Sequence, residues 1–285
     1  MDRITLLAPA FLLFVAMAIP FAVYCWRCAA GRAPAIHGAK HNQLFGPFLA
    51  RYLVWVLGPI ERLLVGRVSP NLVTAVSLAM CAATGVAAGV GNLGAAVWLY
   101  VVAGILDVLD GRLARLANRQ TRAGALFDSV SDRWGELFVF SGYAWFLRET
   151  PWLLAVMGAA GSSLMVSYTR ARAEGLGIEL SGGVMQRAER VMLVAVGSVL
   201  AAWCAADAGS AWLAAPIVGW TMLLCAVAST ATAVNRWIVA YRELARRDAA
   251  DEPKPVPAPA QAPAQAQPHY APIPAKLRES AELGL

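Results

Sequence analysis

Between Asp107 and Asp132 the chain places four aspartates and four arginines, with apolar runs leading in and out. At ~100° per residue of helix, Asp107, Asp110, Gly111 and Ala114 share one face. Gly124, Asp128 and Asp132, spaced by four, share a face of the following helix. Two carboxylate pairs can therefore face each other across a groove between helices. Ionised carboxylates repel, and inside a membrane they persist only with positive partners. Arg115 and Arg122 could supply the charge, as could a divalent cation. An all-oxygen donor set with no His or Cys beside it favours Mg2+ or Mn2+ over zinc, and two ions sharing the carboxylates fit the number of ligands. The plainer alternative is an Asp–Arg network that only holds helices together.

The elements that must carry these residues belong to a membrane protein. The chain of 285 residues is 59% hydrophobic with a mean hydropathy of +0.55, and several runs approach the ~20 residues needed to cross a bilayer. Six spans are expected at Leu72–Val90, Ala95–Leu109, Leu126–Leu147, Leu153–Tyr168, Val191–Ala206 and Ala211–Val234. Before them, Leu6–Trp26 reads as a retained anchor helix rather than a signal peptide, because Arg27 and Arg32 follow it. Phe45–Arg67 is amphipathic and reads as a helix lying along the membrane surface. The domains are then 1–42 (anchor and connector), 43–247 (interfacial helix and six-helix bundle) and 248–285, a Pro/Ala/Gln-rich tail too poor in large apolar residues to build a core.

Arginines concentrate in alternate connections, which the positive-inside rule assigns to the cytoplasm. This puts the aspartates at the cytoplasmic ends of their helices, in the cell membrane, and the N-terminus of the first helix outside. The formal net charge of +6 follows those connections and suits anionic headgroups better than nucleic acid. Of the five cysteines, Cys81, Cys204 and Cys225 lie in apolar runs as small hydrophobes. Cys25 and Cys28 have redox spacing, but no second pair completes a metal site.

The pattern Asp-x2-Asp-Gly-x2-Ala-Arg-x8-Gly-x3-Asp-x3-Asp is filled by Asp107, Asp110, Gly111, Ala114, Arg115, Gly124, Asp128 and Asp132. It resembles the signature of the CDP-alcohol phosphotransferases, and the likeness extends over about Phe45 to Arg242. The resemblance implies an all-α, six-helix membrane core, a homodimer, and transfer of a phosphatidyl group from CDP-diacylglycerol to an alcohol with release of CMP. On that footing Asp107, Asp110, Asp128 and Asp132 hold metal, with Asp132 also the general base. Gly111, Ala114, Arg115 and Gly124 receive the CDP-lipid, with Thr121 on the cytidine side.

A second stretch bears on the acceptor. "SYTRARAEGLGIELSGGVMQRAER", from Ser167 to Arg190, brings Arg170, Arg172, Arg187 and Arg190 to another cytoplasmic connection. A phosphorylated acceptor needs guanidinium partners; the bland reading is positive-inside charge against anionic lipid. The stretch is similar to the actinobacterial phosphatidylinositol phosphate synthases, which implies inositol phosphate as the acceptor. It points to Arg172 and Arg190 first, then Arg170 and Arg187. It departs from that subgroup at Arg170, where Lys is frequent, and at Ala188, where Pro is common. The alternatives are phosphatidylglycerophosphate synthesis from glycerol 3-phosphate and, from another class, a cation transporter using the aspartates.

Overall fold

A computed structural model describes residues 3–32, 46–180 and 182–251. The described residues form eight α-helices and no strand: α1 (Arg3–Ala29), α2 (Gly46–Leu64), α3 (Pro70–Gly89), α4 (Leu93–Leu116), α5 (Arg122–Phe146), α6 (Leu153–Gly175), α7 (Arg187–Ala205) and α8 (Ala214–Asp251). A 3-10 turn at Ala211–Leu213 precedes α8. The chain divides into two units, Met1–Glu243 and Leu244–Leu285. Of the second, only the end of α8 is described. The connector expected to reach Asn42 lies outside the described residues, as does the tail beyond Asp251.

Local chemistry explains the helix starts that matter to the aspartates. Ser69 precedes Pro70 in the first turn of α3, where the missing N–H of proline costs nothing. At α4, the N–H of Ala95 donates to Asn92 Oδ1 at 3.1 Å. At α5, the N–H of Gly124 donates to Thr121 Oγ1 at 3.0 Å. Each of these caps satisfies one of the unpaired amides of a first helical turn. Between α4 and α5, Asn118 takes a left-handed φ of 50°, a conformation that Asn tolerates better than most residues. This allows the charged stretch to reverse direction in a few residues.

Four helices, α3, α4, α7 and α8, are long and apolar enough to cross a membrane, so the chain is a multi-pass membrane protein. Two of the six expected spans fall short of that measure for different reasons, and of the expected anchor helix only Val15–Ala29 counts, as a shorter apolar segment. α5 carries Arg122, Asp128, Asp132, Arg133 and Glu136. α6 is diluted by Gly158, Gly161, Ser162, Ser163 and Ser167 and ends in Arg170 and Arg172. Helix ends also differ from the hydropathy reading. α4 runs on to Leu116 and α8 to Asp251, because a helix continues through charged residues once water or partner groups receive them.

α3 packs against both α4 and α5, while α4 also meets α7 and α5 meets α6. Backbones approach closely where α3 crosses α5: a Cβ on Gly85 would run into the carbonyl of Phe138, and one on Gly142 into Gly85. Small residues that let backbones touch are the usual basis of helix association in lipid. Tyr100, Phe140, Tyr143, Val194 and Met222 belong to one buried apolar cluster that joins α4, α5, α7 and α8. Within it the Tyr143 and Ser198 hydroxyls are hydrogen-bonded at 2.6 Å. α4 and α5, both held by α3, make no extended contact with each other among the described residues. The charged side chains occupy the interval this leaves.

Candidate active site

The structure brings Asp107 of α4 together with Asp128 and Asp132 of α5: one carboxylate oxygen of each lies within 4.8 Å of the others. Asp128 and Asp132 are one helical turn apart and so project side by side. Asp110, expected in the same set, is not among the three. It is 3% exposed, and its Oδ2 accepts a hydrogen bond of 2.6 Å from Thr74 Oγ1 of α3. Thr74 carries no motif signal, since its partner lies 36 positions away.

The guanidinium drawn among these carboxylates is that of Arg187, the first residue of α7, while Arg133 Nη1 lies 3.6 Å from Asp132 Oδ2. Arg187 Nε lies 3.5 Å from Asp107 Oδ2, its Nη2 3.2 Å from Asp132 Oδ1 and its Nη1 3.8 Å from Glu136 Oε1. Nη1 also donates to the Asp132 carbonyl at 2.7 Å. The sequence had offered Arg115 and Arg122 for this role, and both are exposed. Three converging carboxylates with a guanidinium drawn against them form an all-oxygen donor set that fits a divalent cation such as Mg2+ or Mn2+.

Glu136 continues the four-residue spacing of Gly124, Asp128 and Asp132, so the sequence contained the signal that places it on this face. It is 3% exposed, and Arg190 beside it 2%. Arg190 donates to Glu136 Oε1 from Nε at 3.0 Å and from Nη2 at 2.5 Å, and from Nη1 to the Met185 carbonyl at 3.1 Å. Arg190 is thereby fastened in the wall rather than extended into open space. Breaking a buried pair of this kind leaves an uncompensated charge and costs ~3–5 kcal/mol.

A cavity of about 150 Å3 opens beside the carboxylates, lined by Asp132, Arg133, Glu136, Val166, Ser167, Arg170, Gln186, Arg187, Arg190 and Arg236. Five of these are arginines, against two acids. Arg170, Arg187 and Arg190 were expected here. Arg172 is not among the lining residues and is exposed on α6: two positions from Arg170 amounts to ~200° of helix, so the two point apart. Arg236 of α8 was missed by sequence reasoning. It is 6% exposed and donates to the carbonyls of Val166 at 2.9 Å and Gly182 at 2.7 Å. Arg170 is half exposed and pairs with Glu174 at 2.8 Å.

Other expected residues have local duties. The Thr121 hydroxyl caps α5. A Cβ on Gly124 would meet Thr121 Oγ1 at 3.0 Å and Asn71 Oδ1 at 3.3 Å, so this glycine lets the cap and the start of α3 close in. A Cβ on Gly111 would stand 3.4 Å from Arg115 Nη1, which places the Arg115 guanidinium over the bare backbone of Gly111. Cys81 packs under the site, its Sγ 3.1 Å from where a Cβ of Gly135 would be.

The chain is similar to known proteins in sequence and in fold. The chain is 36% identical over 166 residues to the archaetidylinositol phosphate synthase of Methanothermobacter thermautotrophicus, covering 58% of this chain and 80% of that protein. It is 33% identical over 234 residues to the phosphatidylinositol phosphate synthase of Streptomyces avermitilis, covering 77% and 91%. The crystal structure of Mycobacterium tuberculosis phosphatidylinositol phosphate synthase with CDP-DAG bound superposes with a TM-score of 0.56 at 31% identity, over 64% of this chain and 92% of that one. The same enzyme in complex with manganese and citrate gives a TM-score of 0.56. The CDP-alcohol phosphatidyltransferase profile matches residues 67–232. A carboxylate cluster drawn from two consecutive helices and a profile match spanning more than half the chain give one answer: this chain belongs to the CDP-alcohol phosphatidyltransferase family.

Proposed function

We propose that the chain transfers the phosphatidyl group of CDP-diacylglycerol to a hydroxyl of myo-inositol phosphate, giving phosphatidylinositol phosphate and CMP. The observation that carries this reading is the position of Asp132. It belongs to the three-carboxylate cluster and also lines the arginine-walled cavity. One carboxylate thus stands between a place for a pyrophosphate with its cation and a place for an anionic acceptor.

Asp107, Asp128 and Asp132 hold the divalent cation, and Asp110 contributes the oxygen that Thr74 leaves free. A divalent cation held there would supply neutralising charge to the pyrophosphate. Gly111 and Ala114 present little bulk on the same face of α4, so the nucleotide comes close to the helix, and Arg115 above Gly111 pairs with phosphate. Arg170 takes the acceptor phosphate, with Arg187, Arg190 and Arg236, each fastened to protein partners, supplying fixed positive charge behind it. Asp132 receives the proton of the attacking hydroxyl. Proximity of the two substrates in adjoining spaces turns a bimolecular encounter into an oriented one. The names of the relatives at 33–36% identity support the inositol acceptor.

In the membrane, α3 to α8 make six spans, α1 a further one, and α2 lies along the surface. The alternation of arginine-rich connections supports a site on the cytoplasmic side, and the family likeness supports a homodimer. Purified protein given CDP-diacylglycerol and Mg2+ is offered inositol phosphate, glycerol 3-phosphate, serine and free inositol in separate reactions. CMP release with inositol phosphate is expected. Release with glycerol 3-phosphate alone would overturn the acceptor assignment.

A further inference from the structure

The family profile begins at residue 67, yet a buried ion pair reaches the aspartate-bearing stretch of α4 from before that point. Glu61 of α2 is 5% exposed. It accepts from Arg112 through both oxygens, from Nε to Oε1 and from Nη2 to Oε2, the latter at 3.0 Å. Arg112 follows Asp110 by two positions and Asp107 by five. At ~100° per residue it leaves α4 on the side turned away from Asp107. Around it Leu109 and Leu113 of α4 are buried with Val73 of α3, and Leu106, Leu64, Val65 and Val68 pack against them. The end of α2 and its link to α3 therefore seat the back of the stretch whose front carries the carboxylates.

The seat is itself anchored. Tyr52 of α2 donates its hydroxyl to the Met17 carbonyl of α1 at 2.6 Å. Its ring meets Phe21 edge-on with centroids 5.1 Å apart, and Tyr24 stacks obliquely on Trp55 at 5.6 Å. α1 packs in turn against α4 and α7. From its other neighbour, α3, Thr74 fastens Asp110. Packing alone does not call for a charge pair here, because a buried ion pair adds little stability over an apolar pair of the same size. It does fix one rotation and one register, as an all-apolar contact does not.

We propose that Glu61 and Arg112 are positioning residues for the metal-ligating stretch of α4. Their bidentate pair fixes the rotation of α4 about its axis, keeps Asp107 within reach of Asp128 and Asp132, and ties that alignment to the depth at which α2 lies. A rotation of ~10° swings a group at the ~5–6 Å radius of a helix by about 1 Å, and a misplacement of that size costs ~100-fold in rate. The proposal rests on the reading of the three carboxylates as a metal site.

The test uses the full-length protein in detergent and follows Mn2+ binding by electron paramagnetic resonance beside steady-state kinetics. The variants are Glu61→Gln, Arg112→Gln, the two together, and the exchange Glu61→Arg with Arg112→Glu, with Asp107→Asn as control. Each single change is expected to raise the Mn2+ dissociation constant about tenfold and to lower kcat, with the acceptor KM within about twofold of the parent. The exchanged pair restores Mn2+ affinity. The Gln–Gln variant leaves no unpaired charge, so it folds and melts near the parent temperature while still binding Mn2+ weakly. Parental Mn2+ affinity in the folded single or Gln–Gln variants, with Asp107→Asn impaired, overturns the positioning role and leaves the metal reading standing. Parental affinity in Asp107→Asn overturns the metal reading and the proposal with it.

Discussion

The carboxylate cluster and the arginine-walled cavity adjoin at Asp132 but are built in opposite ways. The cluster comes from two helices consecutive in the chain, joined by a short reversal at Asn118, so its members lie within 26 residues of sequence. The cavity draws on α5, α6, α7 and α8, and its arginines run from Arg133 to Arg236. Local helical geometry assembles the first. Long-range packing assembles the second, and its guanidinium groups divide into those held by the protein and those turned toward open space. Glu136 binds Arg190 and the carboxylates bind Arg187, whereas among the described residues Arg170 pairs with Glu174 on its own helix. A site for a cation can be rigid from the start, but an anionic acceptor that enters and leaves needs some positive charge not already committed.

Changes on either side of this boundary separate the two halves. Asp132→Asn should have the largest effect, a loss of kcat of ~10²–10⁴-fold, the range attributed to a positioned base. Equilibrium binding of CDP-diacylglycerol should remain measurable, and retained turnover would remove Asp132 as the base. Next comes Arg190→Leu, which removes both close guanidinium bonds to buried Glu136, leaving Arg187 at 3.8 Å, and should cost up to ~3–5 kcal/mol in stability. The paired change Arg190→Leu with Glu136→Leu should recover the thermal midpoint but not acceptor affinity. If the pair recovers both, the wall charge has no part in binding.

Smaller effects sharpen the contrast within the cavity. Arg170→Gln should raise the acceptor KM by roughly tenfold or more, the worth of one charge-assisted hydrogen bond, and leave the KM for the CDP-lipid unchanged. Arg172→Gln, on the opposite side of α6, should change neither. Equal effects of the two on the acceptor would show that only diffuse positive charge matters. Thr121→Ala should cost about 1 kcal/mol through loss of the α5 cap, read as a lowered melting temperature. A KM for the CDP-lipid that rises alone would instead return Thr121 to the cytidine side.

Much of this was legible because helical periodicity converts spacing directly into a shared face. The offsets of three and four that align Asp107 with Asp110 and Asp128 with Asp132 hold in any α-helix, and the same spacing extends to Glu136. What the spacing could not show was the company each residue keeps. Arg115 and Arg122 are near in sequence, so they stood as the neutralising partners, yet Arg187 enters from α7 because the bundle brings that helix start over the cluster. Arg190 was a first choice for the acceptor. It lines the cavity, but its burial and its bonds to Glu136 depend on a partner 54 positions away. Arg172 shared its composition and neighbourhood with Arg170, and only the orientation of α6 separates them.

The Glu61–Arg112 pair was legible only in part. Phe45–Arg67 reads as an amphipathic surface helix from its sequence. In the fold Glu61 turns to α4, and its charge is neutralised by a residue of the signature stretch that the pattern itself leaves unspecified.

The sequence by itself determined the candidate donor set, because carboxylates at fixed helical offsets share a face whatever surrounds the helix, and the reaction class came with the family resemblance that the same motif carries. The sequence also determined the membrane setting, since apolar length is a property of the chain alone. The tertiary structure decided which charges are spent on one another and which are left for a ligand. That division depends on burial and on partners distant in sequence, and only the packing of α5 through α8, with α2 behind α4, brings those partners within a few ångströms.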